Sequence, residues 1–146
     1  MKRLLVLLLS LGFLTTTSSC VSFGTVSKAY NYTKQQIWEA ATAVINKNYS
    51  GVKRIEQDEP PTLVSNLSVK DKKFGIDKSA IQVLCSLSGF IRPYVVDVDV
   101  RIYPTGEETG GYSKDRVLAQ EVQEKISQYL QNKKYNSSLQ DTYKPY

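Results

Sequence analysis

Apolar and polar residues change their period several times along the chain, and each change marks an element. After Thr33, the apolar residues Ile37, Ala40, Ala41, Val44 and Ile45 recur at three- and four-residue spacing. That spacing predicts one buried face of a helix of about four turns. Thr33 and Gln36 stand at the spacing of a capping box, in which the threonine oxygen accepts from the Gln36 backbone and the glutamine reaches back. Tyr32 and Ile37 fit the hydrophobic staple that accompanies such a box. Trp38 lies beside the stripe and folds over its edge. Asn48-Tyr49-Ser50-Gly51 ends the helix, with Gly51 suited to a left-handed turn.

The rest of the pattern is mostly period two. Residues 25–30 predict a first strand and 52–57 a short second one. Asp58-Glu59-Pro60-Pro61 is a turn, because paired prolines have no place in a central strand. Residues 63–70 read as one strand, with Leu63, Ser65, Leu67 and Val69 on one side and Val64, Asn66, Ser68 and Lys70 on the other. A polar connection follows over 71–75. Residues 80–87 place Ile81, Val83, Cys85 and Leu87 on a common face, and 89–93 turns the chain. The cleanest alternation covers 94–103: Tyr94, Val96, Val98, Val100 and Ile102 point one way and Asp97, Asp99 and Arg101 the other. Such alternation marks an antiparallel strand with one buried and one wet face.

Residues 104–111, rich in glycine and acidic residues, predict a flexible loop. Ser113 is the expected N-cap of a last helix, with Asp115 in its first turn. Leu118, Val122, Ile126, Tyr129 and Leu130 form its apolar stripe, and Lys133 and Lys134 suit its C-terminal dipole. Two amphipathic helices that cover one face of a meander make a two-layer α+β domain. The expectation is an antiparallel sheet of four to five strands with both helices packed on one face. Asp97, Asp99 and Arg101 are then left on the uncovered face.

The first twenty residues carry a different signal. Met-Lys-Arg is followed by the apolar run LLVLLLSLGFL over 4–14, then Thr15-Thr16-Thr17-Ser18-Ser19 and Cys20. The run has the length of a signal-peptide core and is too short to span a bilayer as a helix. Basic start, short core, small residues and cysteine, in that order, resemble the lipobox of bacterial lipoproteins. Thr17 stands where that pattern prefers leucine. An ordinary secretory signal with an incidental cysteine, and a retained membrane helix, are the competing readings. The lipobox resemblance implies a signal peptide over 1–19, acylation of Cys20, and a short tether over 20–25. The domain then spans 26–134 and a polar tail 135–146. Val21, where aspartate would favour inner-membrane retention, implies the outer membrane. A tether this short holds the domain close to the bilayer, since five or six extended residues reach only about 20 Å.

Composition then narrows the chemistry. The chain has 146 residues, of which 41% are hydrophobic and 23% charged, as in ordinary globular domains. Loss of residues 1–19 takes two of the nineteen basic residues and none of the fourteen acidic ones, so the formal charge of +5 falls to +3. That mild charge, without a dense basic stripe, argues against nucleic acid as a partner. There is no histidine, which removes the usual general base, the usual pH switch and the commonest metal ligand. With Cys20 acylated, Cys85 has no disulfide partner, and its alternating apolar position makes it a buried small hydrophobe.

Asp97 and Asp99 are the best acidic pair, at roughly 7 Å between Cα atoms on one face of a strand. Arg101 continues the same row and neutralises one of them, and no further oxygen ligands stand nearby for a hard cation. A solvated face that offers a binding surface is the reading preferred for Asp97, Asp99 and Arg101; neither a metal nor another cofactor is implied. No Gly-x-Ser-x-Gly elbow occurs, and familiar triads need a histidine. Of the ten tyrosines, Tyr30, Tyr32, Tyr49, Tyr94, Tyr103 and Tyr112 flank the ends of elements, where a ring packs while its hydroxyl stays wet. They offer edge packing or, alternatively, an aromatic patch for a protein or a glycan.

Lipobox, short polar entry, the stretch Ile37-Trp38-Glu39-Ala40-Ala41 opening a helix, alternating strands and a closing helix together resemble small bacterial outer-membrane lipoproteins of unassigned function. The order of elements is also similar to the helix-grip-like domains of the lipoprotein C subunit of the outer-membrane barrel assembly machinery. The resemblance carries no catalytic residues. It implies a non-enzymatic, lipid-anchored envelope protein on the periplasmic side of the outer membrane. Its partners would be the membrane and another envelope component, bound through the exposed sheet face or loops. The alternative is a small-ligand-binding lipoprotein with a pocket between the sheet and the C-terminal helix. Oligomeric state is not legible in the sequence.

Overall fold

The computed structural model describes residues 23–70 and 79–133. The expected leader 1–19, Cys20, the polar connection 71–75, Lys134 and the tail 135–146 lie outside the described residues. In chain order the elements are β1 (Val26–Tyr30), α1 (Lys34–Asn48), β2 (Val52–Glu56), β3 (Thr62–Ser65), β4 (Ser68–Lys70), β5 (Ser79–Ser88), β6 (Tyr94–Tyr103), β7 (Ser113–Lys114) and α2 (Arg116–Asn132).

All strand pairs are antiparallel and form one sheet in the order β1-β6-β5-β3-β2, with β4 added to β5 and β7 to β6. The fold is α+β, as the pattern predicts, but the sheet has seven strands rather than four to five. One addition, β7, is two residues long and too short to leave a periodic trace, and the other, β4, is the second half of the strand predicted over 63–70. Helix α1 carries the chain from one sheet edge to the other, and α2 returns it across β6 and β1.

Both helices bury their apolar stripes on the same side of the sheet. Ile37, Ala40, Ala41, Val44 and Ile45 of α1, as expected, join Val96, Val98 and Val100 of β6 and Ile81, Val83, Cys85 and Leu87 of β5 in one core. The Thr33 capping box forms as its spacing predicts, with Thr33 Oγ1 accepting from Gln36 N at 3.1 Å and Gln36 Oε1 accepting from Thr33 N at 2.9 Å. Gly51 turns the chain at φ +80°, a conformation that costs glycine nothing. Trp38 packs half-buried on the edge of the core.

Three expectations are corrected. Residues 63–70 are two strands, because residues 65–67 stand against only Gln82 and Val83, an additional residue that forms a bulge. Ser65 Oγ accepts from Val83 N at 2.9 Å, and Asn66 turns toward the end of α1, where Ser50 O accepts from its side chain at 2.9 Å. The bulge moves Val69 to the opposite face from Leu63.

The N-cap of α2 is Asp115, whose side chain accepts from Leu118 N at 3.0 Å, and not Ser113. Ser113 and Lys114 pair with β6, and Asp115 N donates to Val100 O at 3.0 Å, so the helix starts only after them. Finally, the buried stripe of α2 is rotated: Ala119, Gln123 and Ser127 are buried beside Val122, Ile126 and Leu130, while Leu118 and Tyr129 are partly exposed. A polar network causes the rotation. Tyr30 Oη lies 2.8 Å from Ser127 Oγ, and Gln123 Nε2 donates to Val96 O at 2.8 Å.

Ile126 is fully enclosed, so Ile126→Ala is expected to cost about 2–5 kcal/mol in urea denaturation. Thr33→Ala, which removes the cap, is expected to cost about 1 kcal/mol. A loss below that of Thr33→Ala at Ile126 would contradict this placement of α2.

Candidate functional site

On the face turned away from the helices, β6 carries Asp97, Asp99 and Arg101 opposite Ser86, Leu84 and Gln82 of β5. The structure splits this row. Asp97 accepts a hydrogen bond from the Ser27 hydroxyl of β1. Asp99 Oδ2 lies 3.1 Å from Lys114 Nζ and 3.5 Å from Arg101 Nε, so of the two aspartates it is Asp99 that Arg101 neutralises. The Asp99 side chain is only 13% exposed, and its Oδ1 is enclosed with no hydrogen bond from the described residues. An enclosed carboxylate oxygen of this kind costs stability that its ion pairs offset. The row is therefore half-covered rather than wet.

Much of the cover is loop 104–112, which is fastened rather than free-standing. Arg101 stacks its guanidinium 4.6 Å from the Tyr112 ring, and Tyr112 packs 5.7 Å from Tyr103. Tyr103 Oη donates to Gln82 Oε1 at 3.1 Å, and Gln82 Nε2 donates to Glu108 Oε1 at 2.7 Å. Lys53 Nζ reaches the same carboxylate oxygen at 2.8 Å. The Lys53 hydrogen bond holds the Glu108 carboxyl below the usual carboxylate range. Tyr30 and Tyr103 also depart from the expectation of wet hydroxyls, since both are buried and hydrogen-bonded. Burial pushes the Tyr30 phenol above its ordinary value.

The side chains of conventional chemistry do not converge here. Among the described residues no three Asp, Glu, Cys or His side chains gather as metal ligands. Cys85 is buried and free, and burial pushes its thiol up to about 12, the opposite of what a nucleophilic thiolate needs. Lys28 Nζ donates to Ser127 Oγ at 2.7 Å, but Ser127 Oγ in turn donates to Gln123 O at 2.9 Å. The serine proton is committed to the helix, and Lys28 stands on an exposed edge strand, whereas a general-base lysine is stripped of water. The interface between α2 and the sheet is filled by Val122, Ile126, Leu130 and the Gln123–Ser127–Tyr30 network. A groove of about 370 Å³ lies instead between the helices, lined by Val44, Lys47, Asn48, Lys125, Tyr129 and Asn132. Its Lys125 is paired to Glu121 at 2.7 Å.

The ends of the sheet differ from its faces. The β5–β6 turn presents Phe90 at 94% and Ile91 at 80% exposure, held out between Gly89 and Pro93. It projects from the end where β1 finishes, since Tyr30 pairs with Tyr94. The opposite end is where the described chain enters: Gly24 packs against Lys114, which pairs with Arg101. The stretch of β6 between Arg101 and Tyr94 separates these ends by about 23 Å, at roughly 3.3 Å per residue. Sequence alternation is blind to this turn, because isolated apolar residues in loops carry no period; the tell is Phe-Ile within a Gly-to-Pro turn.

Comparison with family models finds no family that matches, and comparison with curated proteins finds none similar to this chain. No helix among the described residues is long and apolar enough to cross a membrane.

Two outcomes test the site. Glu108 has a lowered folded value, so its contribution is full above the ordinary carboxylate range and is lost as pH falls through that lowered value. The protection of amides in 104–112, relative to free-peptide exchange at the same pH, is therefore expected to fall on acidification, and Glu108→Gln is expected to lower it at neutral pH; unchanged protection in the variant would contradict the fastening. Cys85 is expected to resist thiol reagents until the chain unfolds, and rapid labelling of the native protein would contradict its burial.

Proposed function

We propose that this chain is a non-enzymatic, lipid-anchored envelope protein, held by acylated Cys20 on the periplasmic side of the outer membrane, that binds another envelope protein through its β5–β6 turn. The observation that carries this reading is the exposed Phe90–Ile91 pair at the end of the sheet farthest from the entering chain. Placed there, it stays accessible when the other end is tethered, and an exposed aromatic–aliphatic pair supplies the apolar anchor of a docking contact. Ile55 and Val69 are also exposed, but among the described residues neither has an exposed apolar neighbour in the chain, as is common for scattered apolar residues.

Asp97, Asp99 and Arg101 take a secondary part, because Ser27, Lys114 and Tyr112 already occupy them. The alternative, a small-ligand pocket between the sheet and α2, draws no support from an interface that side chains fill. The lipobox order of 1–20 supports the anchor.

Cys20→Ser is expected to abolish metabolic labelling by palmitate and to release the protein from membranes; retained labelling would overturn the anchor. Phe90→Ser with Ile91→Ser is expected to leave stability within about 0.5 kcal/mol while a stoichiometric protein partner is lost from affinity capture out of native membranes. Recovery of the same partner at the same yield would overturn the docking role of the turn.

A further inference from the structure

The end of the domain where the chain enters carries exposed apolar residues of its own. Phe23 is 99% exposed, Val117 77% and Tyr112 46%. Phe23 is distant from the other two in sequence, and the seat of Gly24 on Lys114 sets all three at this end of the sheet. A Cβ on Gly24, which adopts φ +108°, would lie 2.6 Å from Lys114 Cβ, so only glycine lets the entering chain settle there. Lys114 Nζ reaches back to Thr25 Oγ1 at 3.4 Å and to Asp99 at 3.1 Å. Tyr112 lies just before Lys114 and is stacked by Arg101. Asp115 caps α2 just after it, which starts the helix so that Arg116 and Val117 are exposed in its first turn.

We infer that this end is a membrane-seating surface, in which Phe23, Tyr112 and Val117 enter the interfacial region of a phospholipid bilayer while Arg116 keeps its charge at the headgroups. The inference rests on the proposed acylation of Cys20. Phe23 follows that residue by three positions, and three extended residues span at most about 11 Å. An acyl chain in the bilayer therefore holds Phe23 near the interface, and Gly24, packed on Lys114, turns the end that carries Tyr112 and Val117 toward the same layer. Aromatic and aliphatic side chains flanked by arginine match the chemistry of that layer. A protein partner fits this end less well, because the anchor itself occupies the approach. Seating fixes the tilt of the domain and points the Phe90–Ile91 turn away from the lipid.

The test uses the full acylated chain, purified from membranes and placed in phosphatidylethanolamine–phosphatidylglycerol vesicles. Phe23→Cys, Val117→Cys and Phe90→Cys variants each receive an environment-sensitive fluorophore on the new thiol; Cys85 is buried and does not compete. Quenching by phospholipid spin-labelled near the headgroup is expected to be about threefold or more stronger at 23 and 117 than at 90, as for residues set in the interface. Quenching at 117 no greater than at 90, on vesicles that float with acylated protein, overturns the seating surface and leaves the anchor intact. A chain whose Cys20 carries no acyl group by mass and that does not float overturns the anchor and this surface with it.

Discussion

Strand β6 alternates buried and partly exposed residues from Tyr94 to Arg101, and the need to keep one of its two faces dry organises the rest of the domain. Val96, Val98 and Val100 are fully enclosed, each side chain worth about 1.5–3 kcal/mol relative to exposure. Neither helix covers that row alone. Helix α2 lies over β6 and β1, and α1 completes the layer toward β5 and β2. The two helices are joined across their own contact by Lys133 and Glu39. The long route of α1 from one sheet edge to the other follows from this, since β1 and β2 are the outer strands.

Within that apolar layer, one polar network sets the rotation of α2. Tyr30 ends β1 with its hydroxyl inside, where Ser127 and the Gln123 carbonyl receive it, and Gln123 in turn holds Val96 O. Buried groups of this kind are costly when unpaired and specify a single arrangement when satisfied. The same logic operates on the other face, where Gln82 links Tyr103 to Glu108 and so closes loop 104–112 over one end of the sheet.

What the sequence made legible follows periodicity. The stripe of α1, its capping box, and the alternating faces of β5 and β6 were all readable, because each repeats at the period of its element. Features that depend on contacts distant in the chain were not. The bulge at 65–67 requires knowing that Ser65 meets Val83 and that Asn66 meets the end of α1. The late start of α2 requires knowing that Ser113 and Lys114 find β6. Arg101 is legible as neutralising one of Asp97 and Asp99, but that it is Asp99, and that Lys114 is a second partner, is not. The Phe90–Ile91 turn was visible as letters, and only the fold shows that it stands at the far end from Gly24.

These placements give the domain a polarity along its strands, with the entering chain, Phe23 and Val117 at one end and Phe90 and Ile91 at the other. The central claim is that the first end faces lipid and the second faces a protein. A photo-crosslinking amino acid placed at 117 and, separately, at 90 in living cells tests it most directly. The account predicts lipid adducts from 117 and a discrete protein adduct from 90. Protein adducts from 117 together with lipid adducts from 90 would contradict it.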